Sequence, residues 1–189
     1  MADRTPVPSE PGHARARGRR HPRVRGGYRR TDESGLIYPP DEQAEVLAAE
    51  TTEAPAHVAR ALGLDLAARV VRRQRVTRWG DEPVELSTSW YEGKIGDRAP
   101  ALSQPERVLE GTLAYVERVT GRRGRVARDR MSARLATAEE CSALALSAPA
   151  AVLVIHHLVR DGDNRPLGFE EAVCPPETWT FKQEYAVHG

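Results

Sequence analysis

Apolar and polar positions along the chain form alternating strand and helix signals from about residue 44 onward. Runs rich in β-branched residues, or with apolar residues at every second position, predict strands because successive strand side chains point to opposite faces. Six segments fit this description: Glu45–Thr51, Arg69–Arg78, Val84–Trp90, Arg125–Leu135, Ala150–Arg160 and Arg165–Cys174. Of these, Ala150–Arg160 is the most apolar and is predicted to be buried.

Three further segments are predicted as helices. The first opens at Ala54-Pro55 and runs through Leu62, with Gly63 just after its end. The second spans Pro105–Thr120, has its apolar residues on one side and is ended by Gly121. The third runs from Thr137 through Leu144, where Thr137 and Glu140 have capping-box spacing. The glycine- and proline-containing stretch Tyr91–Gln104 is predicted as a loop.

Two tight turns connect neighbouring strands. Gly80-Asp81 joins Arg69–Arg78 to Val84–Trp90, and Asp161-Gly162-Asp163-Asn164 joins the last two strands. Hairpins with helices between them indicate an antiparallel sheet covered by helices on one face, which is an α+β fold.

The charge of the chain is divided unevenly. The net charge is +1 over 189 residues, but residues 1–34 hold nine arginines and four acidic residues, so they carry +5 and the rest carries −4. Few large apolar side chains occur there, and we predict residues 1–43 to be a disordered arm or linker before a domain at 44–189. Arginines of this arm can contact nucleic-acid phosphates, with Arg19, Arg20, Arg23 and Arg25 as candidates. The alternatives are a solvated linker and a remnant of a longer chain.

Composition excludes several classes of protein. Aromatic residues make up 5%, which disfavours a base-stacking platform. No apolar run reaches the 18 residues of a membrane helix, and the N-terminus has no apolar signal region. Cys141 and Cys174 lie far apart, and no Cys/His group has zinc-ligand spacing. We therefore expect a reduced cytoplasmic protein without a metal or cofactor.

The hairpin at residues 71–90 carries the candidate chemistry. Arg73 and Arg75 share one face of their strand, and Glu85, Ser87 and Ser89 share one face of the next. A hairpin that joins these faces suits a small anionic, hydroxylated ligand better than it suits an apolar core. A three-residue turn gives this facing register, whereas a two-residue Gly80-Asp81 turn places Arg75 opposite Leu86.

The order of the motifs resembles the UTRA domain, the effector-binding half of GntR-type bacterial transcription regulators of the HutC subfamily. The matching segments, which span about residues 44–185, are Ala54–Ala59 before Leu62–Leu64, Arg73–Trp90, Gly111–Leu113, Ser132–Thr137, Ala151–Ile155 and Asp161–Leu167. The resemblance implies a chorismate-lyase-like fold, a small effector, a homodimer and DNA as a partner. Full-length members carry an N-terminal winged helix-turn-helix, and residues 1–43 do not resemble one.

The resemblance also implies roles for residues of the hairpin. Arg73 and Arg75 match two family arginines that hold the anionic group of a sugar phosphate, and their guanidinium forks suit phosphate or carboxylate. Glu85 matches a glutamate that accepts hydrogen bonds from ligand hydroxyl or amide groups, and Ser87 shares its face. The alternatives are an arginine paired with a carboxylate at the sheet edge, and an internal ion pair between Glu85 and one of the arginines.

Other family positions match less closely. Thr112 falls where the family often has a serine that meets an anion at a helix start, and the alternative is an ordinary threonine near an N-cap. Arg134 follows the family pattern, with a structural role as the alternative. Gly168 and Cys174 stand where the family commonly has a ligand-facing glutamate and a tyrosine. Glu170 shares the strand face of Gly168 and is the candidate substitute.

Three functions follow from these observations. The leading one is a non-enzymatic sensor of a small anionic metabolite, a sugar phosphate or a carboxylate, that controls transcription through a dimer. DNA contact would come from a missing or partner winged helix. The second is a lyase-like enzyme using Arg73, Glu85 and Glu170, although no lyase motif matches in order and spacing. The third is DNA binding through residues 13–30.

Overall fold

The computed structural model describes residues 42–176. The predicted arm, including Arg19, Arg20, Arg23 and Arg25, lies outside the described residues. The strands are β1 (Glu42–Glu53), β2 (Arg69–Trp79), β3 (Glu82–Glu92), β4 (Val126–Leu135), β5 (Ala151–Arg160) and β6 (Pro166–Cys174). The helices are α1 (Ala56–Leu62), α2 (Gly93–Arg98), α3 (Thr112–Thr120) and α4 (Ala138–Ala143), with a 3-10 turn at Pro100–Ser103.

The six strands form one antiparallel sheet in the order β1-β2-β3-β6-β5-β4. The α+β fold with a central antiparallel sheet is confirmed. Strand β6 inserts between β3 and β5, so the two predicted hairpins lie side by side at the centre of the sheet. This arrangement brings the polar positions of the first hairpin next to those of the second.

Helices cover both faces of the sheet, so the prediction of one covered face was wrong. Val70 packs with α1, whereas its neighbour Val71 packs with α2, the 3-10 turn and α3. Farther along the α1 face, Val76 and Leu86 pack against Leu144, which follows α4. The sequence pattern did not reveal which face each helix covers, because this depends on tertiary packing between distant residues.

The region between β3 and α3 differs from its prediction. Tyr91 and Glu92 extend β3, and α2 with the 3-10 turn occupies most of the stretch predicted as loop. Gly96 is a packing residue, since a Cβ there would lie 2.5 Å from Val71 Cγ2. The helix predicted from Pro105 begins only at Thr112, after Gly111 with its positive φ of 85°. Glycine thus allows close approach at Gly96 and precedes the first residue of α3 at Gly111.

The other helix boundaries agree with their predictions. Gly63 and Gly121 adopt left-handed conformations after α1 and α3, at φ 68° and 74°. Thr137 and Glu140 form the complete capping box of α4. These local signals depend on short-range backbone hydrogen bonds, which the sequence specifies directly.

A β-bulge sets the register of the central hairpin. Trp79 lies opposite Glu82, so the turn has two residues, Gly80 and Asp81. The ladder then shifts between Thr77 and Arg78, because Val84 is an extra residue on β3. Beyond the bulge, Arg75 pairs with Ser87 and not with Leu86. The two-residue turn therefore coexists with the facing arrangement that was predicted to need three residues.

The two edges of the sheet differ in protection. All ten residues of β4 are exposed, and its ladder with β5 runs from Val126 to Leu135 without a shift. Strand β1 has a register shift between Val46 and Ala48 and contacts the 3-10 turn. Among the described residues, no helix is long and apolar enough to span a membrane.

Candidate functional site

Polar side chains collect on the sheet face that carries α2 and α3. The strand registers place residues from β2, β3, β6 and β5 in adjacent rows of this face. All but one are almost fully buried, and Arg75 retains only 16% of its side-chain exposure. This set, called here the polar cluster, comprises Arg73, Arg75, Glu85, Ser87, Ser89, His157 and Glu170. A buried set of this size requires either internal satisfaction or a polar ligand.

Glu170 is the centre of the polar cluster. It lies opposite Ser89 on β3 and opposite His157 on β5. Its Oε2 accepts hydrogen bonds from Ser89 Oγ at 2.7 Å and from Arg75 Nη2 at 3.1 Å. The carboxylate that sequence reasoning offered as a substitute for Gly168 thus contacts one of the two candidate arginines.

Arg73 makes a different set of contacts. Its Nη1 donates to the carbonyl oxygens of Leu102, at 3.2 Å, and of Gln104, and its Nη2 donates to that of Glu106 at 2.5 Å. One guanidinium therefore binds the 3-10 turn, through Leu102, and the segment between this turn and α3, through Gln104 and Glu106. Arg73 connects the sheet to this segment, and Arg75 is the arginine that faces the carboxylate.

The buried polar atoms of the cluster that lack a hydrogen-bond partner within residues 42–176 include Ser87 Oγ and Glu170 Oε1. Their residues are 0% and 1% exposed. A buried carboxylate oxygen without a donor costs about 1–3 kcal/mol or more. The carboxylate oxygen accepts, and the hydroxyl can donate or accept. A ligand that brings a hydroxyl or amino group would satisfy both atoms.

Cys174 closes the cluster on the side of Glu85. Burial raises the pKa of its thiol, and the nearby carboxylates of Glu85 and Glu170 raise it further. The thiol is therefore neutral and packs with Val84, Ile155 and Ala172. A buried, neutral thiol is a poor nucleophile.

His157 was missed by the sequence analysis. It lies next to Glu170 in the sheet, and its Nδ1 contacts Asp129 Oδ1 on β4. The signal was present in the sequence, because His157 interrupts the apolar alternation of Ile155 and Val159 on the same strand face. A polar residue at a buried strand position predicts a polar neighbour.

Comparison with known proteins identifies the domain. The family model of the UTRA domain matches residues 41–179. The chain belongs to the UTRA domain family. It is 30% identical over 139 residues to the HTH-type transcriptional regulator Rv0792c of Mycobacterium tuberculosis, which is 74% of this chain and 51% of that protein. The chain thus spans about half the length of this curated relative.

Solved structures agree with this UTRA fold. A putative GntR-family transcriptional regulator superposes with a TM-score of 0.69 at 23% identity, covering 78% of this chain and 60% of that one. The effector domain of PhnF from Mycobacterium smegmatis gives 0.65 at 20%, with 77% and 89% covered. The C-terminal domain of the histidine utilization repressor from Pseudomonas syringae pv. tomato gives 0.66 at 20%, with 77% and 99% covered. The fold is chorismate-lyase-like, and these relatives are transcription regulators.

Two predicted site residues of this UTRA domain have other positions in the fold. Arg134 is on the opposite sheet face, where its Nη1 and Nη2 each lie 2.6 Å from an oxygen of Glu140. Its hydrogen bonds lower the pKa of Glu140. Thr112 is the first residue of α3 and follows the N-cap Gly111. The structure therefore brings together Arg73, Arg75, Glu85, Ser87 and Glu170, and it places Arg134 on the other sheet face.

A separate cleft of about 620 Å³ lies at the other end of β2, lined by residues that include Arg69, Lys94, Arg122 and Arg165. Its arginines are paired with nearby acids, as in the contact of Arg122 Nε with Asp161 Oδ2 at 2.7 Å. None of the residues predicted for the site lines it.

Within residues 42–176, no group of three or more His, Cys, Asp and Glu side chains is arranged to hold a metal ion.

Proposed function

We propose that this UTRA domain senses a small metabolite that carries both an anionic group and hydroxyl or amino groups. The observation that supports the proposal most directly is the pair of buried atoms without partners, Ser87 Oγ and Glu170 Oε1. Family membership supports a regulatory role, and the known relatives do not favour a lyase-like enzyme.

The proposed ligand uses the two ends of the Arg75–Glu170 pair. Its anionic group takes a place at the Arg75 guanidinium, whose planar donors suit a phosphate or carboxylate. Its hydroxyl or amino group donates a hydrogen bond to Glu170 Oε1 and contacts Ser87 Oγ. Glu85 lies on the same sheet face as Ser87. Glu170 already neutralises Arg75 in the internal ion pair, so the anionic group of a ligand competes with this carboxylate for Arg75. A ligand that offers no hydrogen-bond donor to Glu170 would therefore bind poorly.

Arg73 offers a route from the ligand to the rest of the regulator. It is two residues from Arg75 on the same face and binds the carbonyls that precede α3. We propose that ligand binding favours one position of this segment, and that a homodimer transmits the change to a DNA-binding unit. A ligand can shift such an equilibrium only through its different affinities for the two states.

Titration calorimetry tests the ligand site. The panel is glucose 6-phosphate, glucosamine 6-phosphate, citrate and inorganic phosphate. Ser87→Ala and Glu170→Gln should weaken binding of a hit roughly tenfold to a hundredfold, since the first removes a hydrogen-bonding hydroxyl and the second replaces a charged acceptor with a neutral amide. Glu171→Gln is the matched control, because this neighbouring glutamate faces the opposite side of the sheet beside Trp90. Equal affinities in all three variants would contradict the proposed site.

DNA contact is a separate part of the proposal. We propose that DNA is reached through a winged helix, in the same polypeptide or in a partner, with residues 13–30 as an alternative contact. An arm that contacts phosphates gives an affinity that falls steeply with salt. Filter binding of the full chain at 50 and 200 mM salt, with and without residues 1–34, distinguishes these two routes.

A further inference from the structure

A row of polar side chains crosses the sheet from β2 to β4. The strand registers place each member of the row directly opposite the next, on the face that carries α2 and α3. In the order of the strands, the row consists of Arg73, Ser89, Glu170, His157 and Asp129. His157 therefore has a carboxylate on each side. One belongs to the buried Glu170 on β6, and the other belongs to Asp129 on β4, whose side chain is 44% exposed.

The imidazole of His157 is bonded to the outer of these two carboxylates. Its Nδ1 contacts Asp129 Oδ1. A carboxylate only accepts hydrogen bonds, so the hydrogen in this contact belongs to Nδ1. The inner carboxylate has an oxygen, Glu170 Oε1, that receives no hydrogen bond within the part of the chain that the structure describes. The more exposed acid thus binds a donor that the buried acid lacks.

The same imidazole could also reach Glu170. Directly opposite residues of an antiparallel pair have Cβ atoms about 4.5–5.5 Å apart, so rotation about the side-chain bonds of His157 can bring a ring N–H to Glu170 Oε1. Such a hydrogen bond is favourable, because a buried acceptor without a donor is costly. The contact with Asp129 opposes this rotation, since the rotation would break it.

We propose that Asp129 is a positioning residue of the ligand site, which holds His157 toward β4 and thereby keeps Glu170 Oε1 open to a donor from the ligand. This inference rests on the ligand site of the proposed function and adds a residue that acts on it through another. Asp129 itself does not touch the ligand. The arrangement selects ligands with a hydroxyl or amino group, because the protein directs its own neighbouring donor away from Glu170.

A crystal structure of ligand-free Asp129→Ala, in the full chain, tests this arrangement without any ligand. We expect a ring nitrogen of His157 to lie within about 3.2 Å of Glu170 Oε1. Arg130→Ala is the matched control, because Arg130 follows Asp129 on β4 and its side chain lies on the other sheet face. In that variant and in the wild type, His157 should contact Asp129. An unchanged orientation of His157 in Asp129→Ala would overturn the proposal.

Calorimetry with glucosamine 6-phosphate tests the consequence for binding. For Asp129→Ala we expect a dissociation constant raised at least roughly tenfold, because the ligand must then displace the imidazole from Glu170. Charge alone predicts the opposite sign, since removing a negative charge near the site favours an anionic ligand. Arg130→Ala should change the constant less than roughly threefold, because its exposed charge is screened by salt. Unchanged or tighter binding by Asp129→Ala would contradict the role of Asp129.

His157→Leu separates an action through His157 from a general effect on the sheet. In the His157→Leu background, Asp129→Ala should leave the dissociation constant within roughly twofold, because no imidazole remains to occupy Glu170. A contact that only joins β4 to β5 would lower the free energy of unfolding in Asp129→Ala and leave the affinity of the folded protein unchanged. Weakening by Asp129→Ala that persists without His157 would also overturn the proposal.

The failure of this proposal is distinguishable from the failure of the proposed function. If the wild type binds neither glucosamine 6-phosphate nor the rest of the calorimetry panel, the proposed ligand class is refuted. The orientation of His157 in the Asp129→Ala crystal then still supports or overturns the role of Asp129. If Ser87→Ala weakens binding and Asp129→Ala does not, the ligand site is supported and the role of Asp129 is overturned.

Discussion

Arg75 and Glu170 form an ion pair although their strands are not neighbours. Strand β3 separates β2 from β6, and it presents only Ser87 and Ser89 between the two charged groups. These small side chains allow the Arg75 guanidinium to reach across to the carboxylate, with 3.1 Å between Nη2 and Oε2. The side chains are 16% and 1% exposed, so the pair lies largely outside water. The ion pair that stabilises the fold therefore uses the same two charged groups that are proposed to bind the ligand.

Removing one partner of this pair should be costly. Arg75→Met leaves Glu170 as a buried charge, and we expect a loss of about 3–5 kcal/mol in the free energy of unfolding. The double variant Arg75→Met/Glu170→Gln should recover part of the loss because it removes the uncompensated charge. Urea denaturation provides the measurement.

The control for that experiment is an exposed ion pair on the opposite face, Arg72 with Glu50, in which the glutamate is 54% exposed. Arg72→Met should cost no more than about 1 kcal/mol. Similar losses for Arg72→Met and Arg75→Met would mean that the Arg75–Glu170 pair is effectively solvated.

Arg73→Lys should loosen the segment that precedes α3. A lysine has one ammonium in place of a planar fork, so it cannot reach the carbonyls of Leu102, Gln104 and Glu106 together. We expect faster amide hydrogen exchange in residues 101–111 and a loss of roughly 2 kcal/mol in stability. Exchange in α4, on the opposite face, should be unchanged. Equal exchange in the first region would show that Arg73 does not restrain it.

Asp161 should make stability depend on pH in the acidic range. Burial alone would raise the pKa of this carboxyl, but hydrogen bonds from Arg122 and Arg165 outweigh burial and hold its pKa well below the ordinary value of 3.8. Because the folded pKa is the lower one, this stabilisation is fully present above about pH 4 and is lost as the pH falls through the folded pKa. Asp161→Asn should therefore destabilise strongly at pH 7 and progressively less below pH 4, as measured by urea denaturation at each pH. A stability difference independent of pH would contradict this assignment.

Gly96→Ala should destabilise the packing of α2 on the sheet. The added Cβ would lie 2.5 Å from Val71 Cγ2, and overpacking of this kind typically costs about 1–3 kcal/mol. Pairing it with Val71→Ala should relieve the clash, so the double variant should lose less than the sum of the two single losses. Thermal unfolding of all three variants gives the comparison, and strict additivity would mean that the two residues do not touch.

Local signals predicted the parts of the fold that depend on neighbouring residues. The capping box at Thr137 and the glycines that end α1 and α3 are examples. The presence of α2 was not predicted, because Gly96 is typical of a loop until its contact with Val71 is known. The late start of α3 was not predicted either. The contact between Gly96 and Val71 joins residues 25 positions apart, and a single sequence does not show it.

The candidate site was predictable to a similar extent. The alternation of side chains placed Arg73 and Arg75 on one face of their strand and Glu85 and Ser87 on one face of the next strand. Pairing of the two strands then put both sets on the same face of the sheet. The separate tasks of the two arginines depend on where the segment after the 3-10 turn passes, which periodicity does not specify. That Arg134 faces away from the cluster follows from the pairing of β4 with β5, which is a tertiary property.

The extra residue at Val84 has an evolutionary consequence. If Val84 were paired in a regular ladder instead of forming a bulge, the two-residue turn would place Leu86 opposite Arg75, and every later side chain of β3 would exchange faces relative to β2. Insertions or deletions in this hairpin are therefore tolerated only when each side chain keeps its face of the sheet. This holds when two residues are added or removed together, or when a change of one residue is matched by the gain or loss of the bulge. A single unmatched codon would disperse the polar cluster over both faces of the sheet while leaving all of its residues encoded in the gene.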